Sequence, residues 1–427
     1  MVTAAAGFKE RFIEAVRLRL RADVPVGSCL SGGLDSSSIV CVANRLLREQ
    51  DAQGAMIIVW ATAGVAWMER SLRSVIQVLL AEMMIMAAQG QQRTFSACAD
   101  VPRFDERSYI EIVVAYTGVK PHYTYPAQDT LFEILPDLTW HQDEPFGSTS
   151  IFAQWCVFAL VAQQRVKVML DGQGADEQLA GYHGYFGPYL AGLAKDLAIG
   201  SLWREWRAIR AQHSYSNVKL AKWMIGNLAP ALIKPVAAIL GQEHSDLTWL
   251  DLNCLGATPR DPFREGGVRT TSVQALSYAQ LTTMNLQMLL HWEDRDSMAH
   301  SIESRVPFLD YRLVEYALGL PDECKIAAGI TKRVLREGMR SILPEAIRQR
   351  MDKLGFVTPE EIWVRERSTA RFRAALEDAI TVSQGVLTST ALDRFDAMVS
   401  GKRPFNFFIW RLISFGAWVK QFGVALG

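Results

Sequence analysis

The chain has 427 residues, of which 49% are hydrophobic and 21% charged, an ordinary globular composition able to bury a sizeable core in one large domain or two to three smaller ones. Lys+Arg and Asp+Glu balance at 45 each, so the net charge is zero and nothing in it points to nucleic acid or an anionic membrane as a partner. Six cysteines (Cys29, Cys41, Cys98, Cys156, Cys254 and Cys324) are scattered without C-x-x-C spacing, which excludes a disulfide scaffold and predicts buried free thiols in a reducing cytosol. The segment Met1–Arg17 mixes acidic and basic residues and has no long apolar stretch, so it does not read as a signal peptide. No run of about 18 apolar residues occurs; the nearest, Ala55–Trp67, is too short and is soon followed by Glu69 and Arg70. These features together predict a soluble cytoplasmic protein.

In chain order, Phe8, Phe12, Ile13, Val16 and Leu20 recur at helical spacing and predict a surface helix over 8–21. Val24–Leu30 follows as a buried strand running into the turn Ser31-Gly32-Gly33. After the turn, Ser36–Glu49 reads as a helix with Ile39, Val42, Ala43, Leu46 and Leu47 inward. Strand, glycine turn and helix open a parallel α/β sheet. Arg93–Ala97 and Val166–Leu170 are further strands. Beyond about residue 190 the pattern is helical, most clearly at Leu276–Leu290, Leu309–Leu318, Lys332–Leu343 and Ala370–Ala379. The expectation is a doubly wound α/β part over 8–190 packed closely against a mainly helical part over 191–427. The tripeptide Ala-Gln-Gly at 52–54 recurs at 88–90 around a Met-rich apolar stretch, so 55–90 reads either as an insertion or as an ordinary helical excursion.

Two motifs carry chemistry. In Ser31-Gly32-Gly33-Leu34-Asp35-Ser36-Ser37, the glycines allow a sharp turn and close backbone approach. The N–H groups that follow, with the helix N-terminus, offer partial positive charge to phosphate. Asp35 would repel phosphate unless magnesium lay between them, and magnesium favours one or two carboxylates plus phosphate oxygens. The loop lacks the lysine of a G-x-x-x-x-G-K-[ST] motif. The second motif, Asp171-Gly172-Gln173-Gly174-Ala175-Asp176-Glu177 with Gly181-Tyr182, again follows a strand. Two such turns at the carboxyl ends of parallel strands can face one crevice, with Asp176 as a second metal ligand.

The first loop resembles the PP-loop of ATP pyrophosphatases. Together with Arg19–Gly27, the second motif, Ser304–Asp310 and Asp352-Lys353-Leu354-Gly355-Phe356, it is similar, in family order over about residues 8–415, to the synthetase part of glutamine-dependent asparagine synthetases. The resemblance implies that Leu30 and Ala97, with the backbone of Asp171 and Gly172, line an adenine site, and that Ser31, Gly32, Gly33, Leu34, Asp35, Ser36 and Ser37 hold pyrophosphate. It implies magnesium on Asp35 and Asp176. It places Lys353 against the α-phosphate and reacting carboxylate, and leaves Glu303 and Arg305 as either substrate contacts or a structural ion pair. The implied reaction uses ATP and Mg2+ to convert a carboxylate, aspartate foremost, into an acyl-adenylate that ammonia attacks.

Three departures stand out. Nothing upstream matches the family's glutaminase half, and Val2 stands where its nucleophilic cysteine would be; ammonia or a separate glutaminase subunit would then supply nitrogen. Gln173, at a catalytic position, replaces the family's usual glutamate. The stretch 55–90 lies close to the nucleotide site. Alternative readings therefore include the same activation with another acceptor, as in β-lactam synthetases, lasso-peptide cyclases or sugar amidotransferases, and a non-catalytic remnant. A homodimer is an open assembly state.

Overall fold

The structure is a computed structural model and describes residues 1–65, 92–229, 248–251, 253–254, 256, 271–352, 355 and 357–425. Its centre is a parallel sheet of five strands: β1 (Val26–Cys29), β2 (Arg93–Ala97), β3 (Lys120–Thr124), β4 (Val168–Leu170) and β5 (Glu303–Arg305), in the order β3-β2-β1-β4-β5. The chain builds outward from β1 through β2 to β3, then crosses back to lay β4 and β5 on the other side. This is a doubly wound sheet whose order reverses at β1, and the carboxyl ends of β1 and β4 flank that reversal.

Both faces of the sheet are covered, as a parallel sheet requires. Met169 and Leu170, neighbours in β4, point into different cores. Leu170 joins Phe8, Phe12, Ile39, Val42 and Phe308 beneath the helices Val2–Arg19 and Leu34–Val65. Met169 joins Phe95, Val157, Phe158 and Val161 beneath the helix Ser150–Gln163. The C-terminal helices Thr369–Val382 and Phe408–Phe422 form a third core around Trp363, Phe372, Leu376, Trp410 and Ile413, which takes in Phe146 and Phe152 from the α/β part. The Phe146 and Trp410 ring centroids are 5.6 Å apart.

β2 has the predicted bounds, and the strand expected at Val24–Leu30 is trimmed to Val26–Cys29 behind Pro25, which has no N–H to give a ladder. The predicted first helix begins at Val2, and the one expected at Ser36–Glu49 runs Leu34–Val65. Residues 66–91, and with them most of the proposed insertion 55–90, lie outside the described residues. The single helix expected over Leu276–Leu290 is two, Val273–Thr282 and Asn285–Ala299, and the first starts where the Ser272 side chain accepts from Ala275 N–H at 3.1 Å. Strands β3 and β5 were not anticipated. All six cysteines are free, but Cys254 is exposed, which corrects the expectation that all would be buried. Among the described residues no helix is long and apolar enough to cross a membrane.

Gly416 marks the tightest packing in the helical part. A Cβ built there would lie 2.3 Å from the Ala379 Cβ and 2.4 Å from its Cα. Alanine normally stabilises a helix interior by about 1 kcal/mol over glycine. Here the obstacle is backbone, so the two helices would have to separate. Gly416→Ala should therefore destabilise the protein on balance, by roughly 1 kcal/mol or more, seen as a lower midpoint in chemical denaturation.

Candidate functional site

A cavity of about 370 Å3 opens at the carboxyl ends of β1, β2 and β4. Its apolar lining includes Leu30, Phe95, Ala97, Ile151, Val157 and Phe158. Its lining also includes Ser31, Gly33, Leu34, Asp35 and Ser36 from the first glycine loop and Asp171, Gly172, Gln173 and Asp176 from the second. A flat apolar group and a charged tail could both be housed.

The first loop is held by its own hydroxyls. Ser31 N–H donates to Ser36 Oγ at 3.2 Å, the two Oγ atoms are 3.1 Å apart, and Gly33 N–H donates to Ser31 Oγ at 3.3 Å. Gly32 has φ +72°, and a Cβ there would meet the Tyr109 Cβ at 2.7 Å and the Ile110 nitrogen at 2.9 Å. Left-handed backbone and contact with the helix Arg107–Thr117 both demand glycine. Neither Gly32 nor Ser37 lines the cavity. Ser37 is buried, and among the described residues its Oγ has no hydrogen-bond partner.

The two loops meet at a lysine. Lys332 Nζ forms ion pairs with Asp35 of the first loop and, at 2.7 Å, with Asp176 of the second, and its side chain is 7% exposed. Burial alone would lower its pKa, but Asp176 and Asp35 outweigh that and hold it above the ordinary lysine value. The lysine has left-handed backbone at φ +54°, an uncommon state for a residue with a Cβ and one that surrounding contacts must enforce. Gly181 leaves it room, since a Cβ there would fall 2.3 Å from Lys332 Cε and 1.9 Å from Asp176 Oδ1. The sequence contains no sign of Lys332's role, because Thr331-Lys332-Arg333 reads as an ordinary helix start.

Arg350 locks the first loop from outside. Its side chain is 3% exposed and donates to the Gly32 carbonyl at 3.1 Å, to Glu106 at 2.6 Å and to Asp352. Its guanidinium lies over the Tyr109 ring at 3.7 Å. Burial outweighs Arg350 and pushes the Glu106 carboxyl up to about 6. Arg336 also lines the cavity, so Lys332, Arg336 and Arg350 give one side cationic character suited to phosphate. The Cys29 thiol borders the cavity too, but burial and then Asp171 push its pKa well up, so it is held as a neutral thiol.

The proposed metal ligands fit the chemistry of magnesium. Asp35 and Asp176 come from separate loops yet reach one atom, and among the described residues no three His, Cys, Asp or Glu side chains form a site. A hard cation here would take these two carboxylates and complete its shell with phosphate oxygens and water. Lys353 lies outside the described residues; Asp352 and Gly355 beside it line the cavity. Glu303 and Arg305 do not line it. They pair with each other at 2.7 Å, and Arg305 donates to the carbonyls of Arg19 and Arg21 at 2.8 and 2.9 Å, tying β5 to the end of the first helix.

Removing Lys332 should leave two carboxylates facing each other. Lys332→Ala is expected to lower the melting temperature, and millimolar magnesium chloride should recover more of the loss than sodium chloride of equal ionic strength. Arg350→Ala should cost about 2 kcal/mol, because the half-buried Glu106 loses its cation and the Gly32 carbonyl its donor. Arg350→Lys should recover little, since one ammonium cannot reproduce the fork that serves Gly32, Glu106 and Asp352; equilibrium unfolding of the three chains checks this.

A family model described as asparagine synthase matches residues 7–420. Asparagine synthetase [glutamine-hydrolyzing] 1 of Bacillus subtilis (strain 168) is 24% identical over 419 residues, covering 96% of this chain and 58% of that protein. Amidase chry2 of Gibberella zeae is 24% identical over 383 residues, covering 84% of this chain and 52% of that one. A putative asparagine synthetase [glutamine-hydrolyzing] of Mycobacterium tuberculosis (strain ATCC 25618 / H37Rv) is 25% identical over 420 residues, covering 95% and 56%. The chain thus spans about half the length of these curated relatives.

Proposed function

The chain belongs to the asparagine synthase family, and on that premise we propose that it is an ATP-dependent amide-forming ligase that activates a carboxylate as its acyl-adenylate. The observation that carries this reading is the meeting of Asp35 and Asp176 on Lys332 beside the glycine loop. It supports a phosphate site built from both loops, with an apolar slot for adenine between Leu30, Ala97 and Phe158.

In this reading the substrate carboxylate, with aspartate the first candidate, attacks the α-phosphorus of ATP. The bond to the β-phosphate breaks and pyrophosphate leaves toward the backbone N–H groups of the Ser31–Ser37 loop, Lys332 and Arg336. Magnesium on Asp35 and Asp176 would supply charge neutralisation for the leaving pyrophosphate. Lys353 is assigned to the α-phosphate, where its charge counts most as the transition state forms. An amine then attacks the acyl carbon, AMP leaves, and the amine loses a proton to give the amide. The chain's contribution is positioning and fixed charge. As one functional unit, its α/β part holds the nucleotide and its helical part closes the site from the side of Trp292 and Arg350.

A second reading keeps the activation and changes the acceptor to a larger amine. It is favoured by Gln173 in the cavity wall. Exchange of labelled pyrophosphate into ATP, screened over carboxylates with l-aspartate first, tests the activation step common to both readings. Asp35→Asn and Asp176→Asn should each abolish exchange. Lys353→Ala should cut it by roughly a hundredfold or more while ATP binding stays near normal; equal losses in both would make Lys353 a ground-state binding group instead. No exchange with any carboxylate would overturn the proposal.

A further inference from the structure

Behind the cavity wall at Gln173 lies a group of buried acids that the proposed reaction does not use. Glu293, on the helix Asn285–Ala299, is 2% exposed. Its Oε1 accepts a hydrogen bond from Ser304 Oγ on β5, and among the described residues its Oε2 is a buried acceptor with no hydrogen-bond partner, beside the Gln173 carboxamide and the Asp171 carboxyl. Its chain neighbour Trp292 lines the cavity, as do Gln173 and Asp171 themselves. The second loop is anchored at the same place. Asp171 N–H donates to the Arg305 carbonyl at 2.9 Å, and Gln173 N–H donates to Asp171 Oδ1 at 3.2 Å. One turn on from Glu293, Asp296 is fully buried and accepts from Gln142 Nε2 at 2.7 Å.

This is a crowded place for negative charge. Burial, and then Asp171, push the Glu293 carboxyl well above its ordinary value, while Ser304 and Gln173 pull it down. A glutamate at 173 would add one more acid to a region that already holds three. A glutamine offers Glu293 an N–H donor and adds no charge.

We propose that Glu293 is the positioning residue for Gln173: the buried carboxyl, fixed by Ser304 through one oxygen, offers its other, unpartnered oxygen to the carboxamide N–H and so turns the carboxamide oxygen toward the cavity. The helix thus supplies a carboxyl and the loop an amide. The oxygen it presents would accept a hydrogen bond from the N–H groups of an amine or amino-acid substrate. This assignment of a substrate contact rests on the ligase reading above, whereas the pairing itself does not.

The test is a double-mutant cycle on the full chain with Q173E, E293Q and the double variant Q173E/E293Q. Thermal melting at pH 8 and pH 5.5 decides the pairing without any substrate. Q173E should lower the melting temperature more at pH 8 than at pH 5.5, since the added carboxyl must ionise or stay protonated beside two acids. The double variant should recover most of that loss. Additive effects of the two substitutions would overturn the pairing. Product formation from l-aspartate, ammonium chloride and ATP then reads the role in turnover. Each single variant should lose roughly tenfold or more in kcat/KM for aspartate with the KM for ATP little changed, and the double variant should regain most of it. A double variant no better than the poorer single one would show that Glu293 is structural only. A wild-type chain that forms no product and exchanges no pyrophosphate would defeat the ligase reading, while the melting cycle would still decide the pair.

Discussion

The attraction of one buried ammonium for two carboxylates holds the site together. Lys332 touches Asp35 and Asp176, which stand at the starts of helices after β1 and β4. Two carboxylates in a partly desolvated crevice repel each other, and a cation between them is what lets the two loops close on one point. Other features near the site serve this contact. Lys332 adopts left-handed backbone, Gly181 gives up its side chain to make room, and the helix that begins at Arg333 sets the lysine where it stands.

In the proposed reading, the same contact would let a phosphate site exist without a lysine in the glycine loop. In many phosphate loops the cation lies inside the motif, so it arrives with the loop. Here the first loop contributes N–H groups, hydroxyls and a carboxylate, and the cations come from Lys332, Arg336 and Arg350, some three hundred residues later. The site is complete only when the later part of the chain has packed against the sheet. Arg350 makes that dependence concrete, because it reaches back to the Gly32 carbonyl and stacks on Tyr109.

A second economy appears on the other side of the cavity. Glu293 and Asp296 are buried beside the half-buried Asp171, and desolvation pushes each of the three toward its neutral form. Glutamine at 173 fits such surroundings better than glutamate. In the pairing proposed above, a departure from the expected motif residue would be matched by a residue more than a hundred positions away, which no local reading of the loop would reveal.

The two glycine loops were legible from residue order alone, because a phosphate loop needs small residues and N–H donors in succession right after a strand. So were β2, the first helix and the mainly helical character beyond residue 190, since their side chains repeat at the period of the element. The strands β3 and β5 were not legible: Lys120-Pro121-His122-Tyr123-Thr124 and Glu303-Ser304-Arg305 are short and polar, and become strands only because a neighbour offers a ladder. Sequence likewise left Glu303 and Arg305 open between substrate contact and ion pair, and the structure places them against each other and the first helix. Lys332, Arg350 and Glu293 were invisible as site residues, since a single charged side chain in a helix or loop looks like any other until folding decides what it faces. The sequence by itself determined where the two glycine loops follow their strands. Tertiary packing alone decided which distant charges meet them, because a Coulomb contact depends on distance in space and leaves no period in the chain.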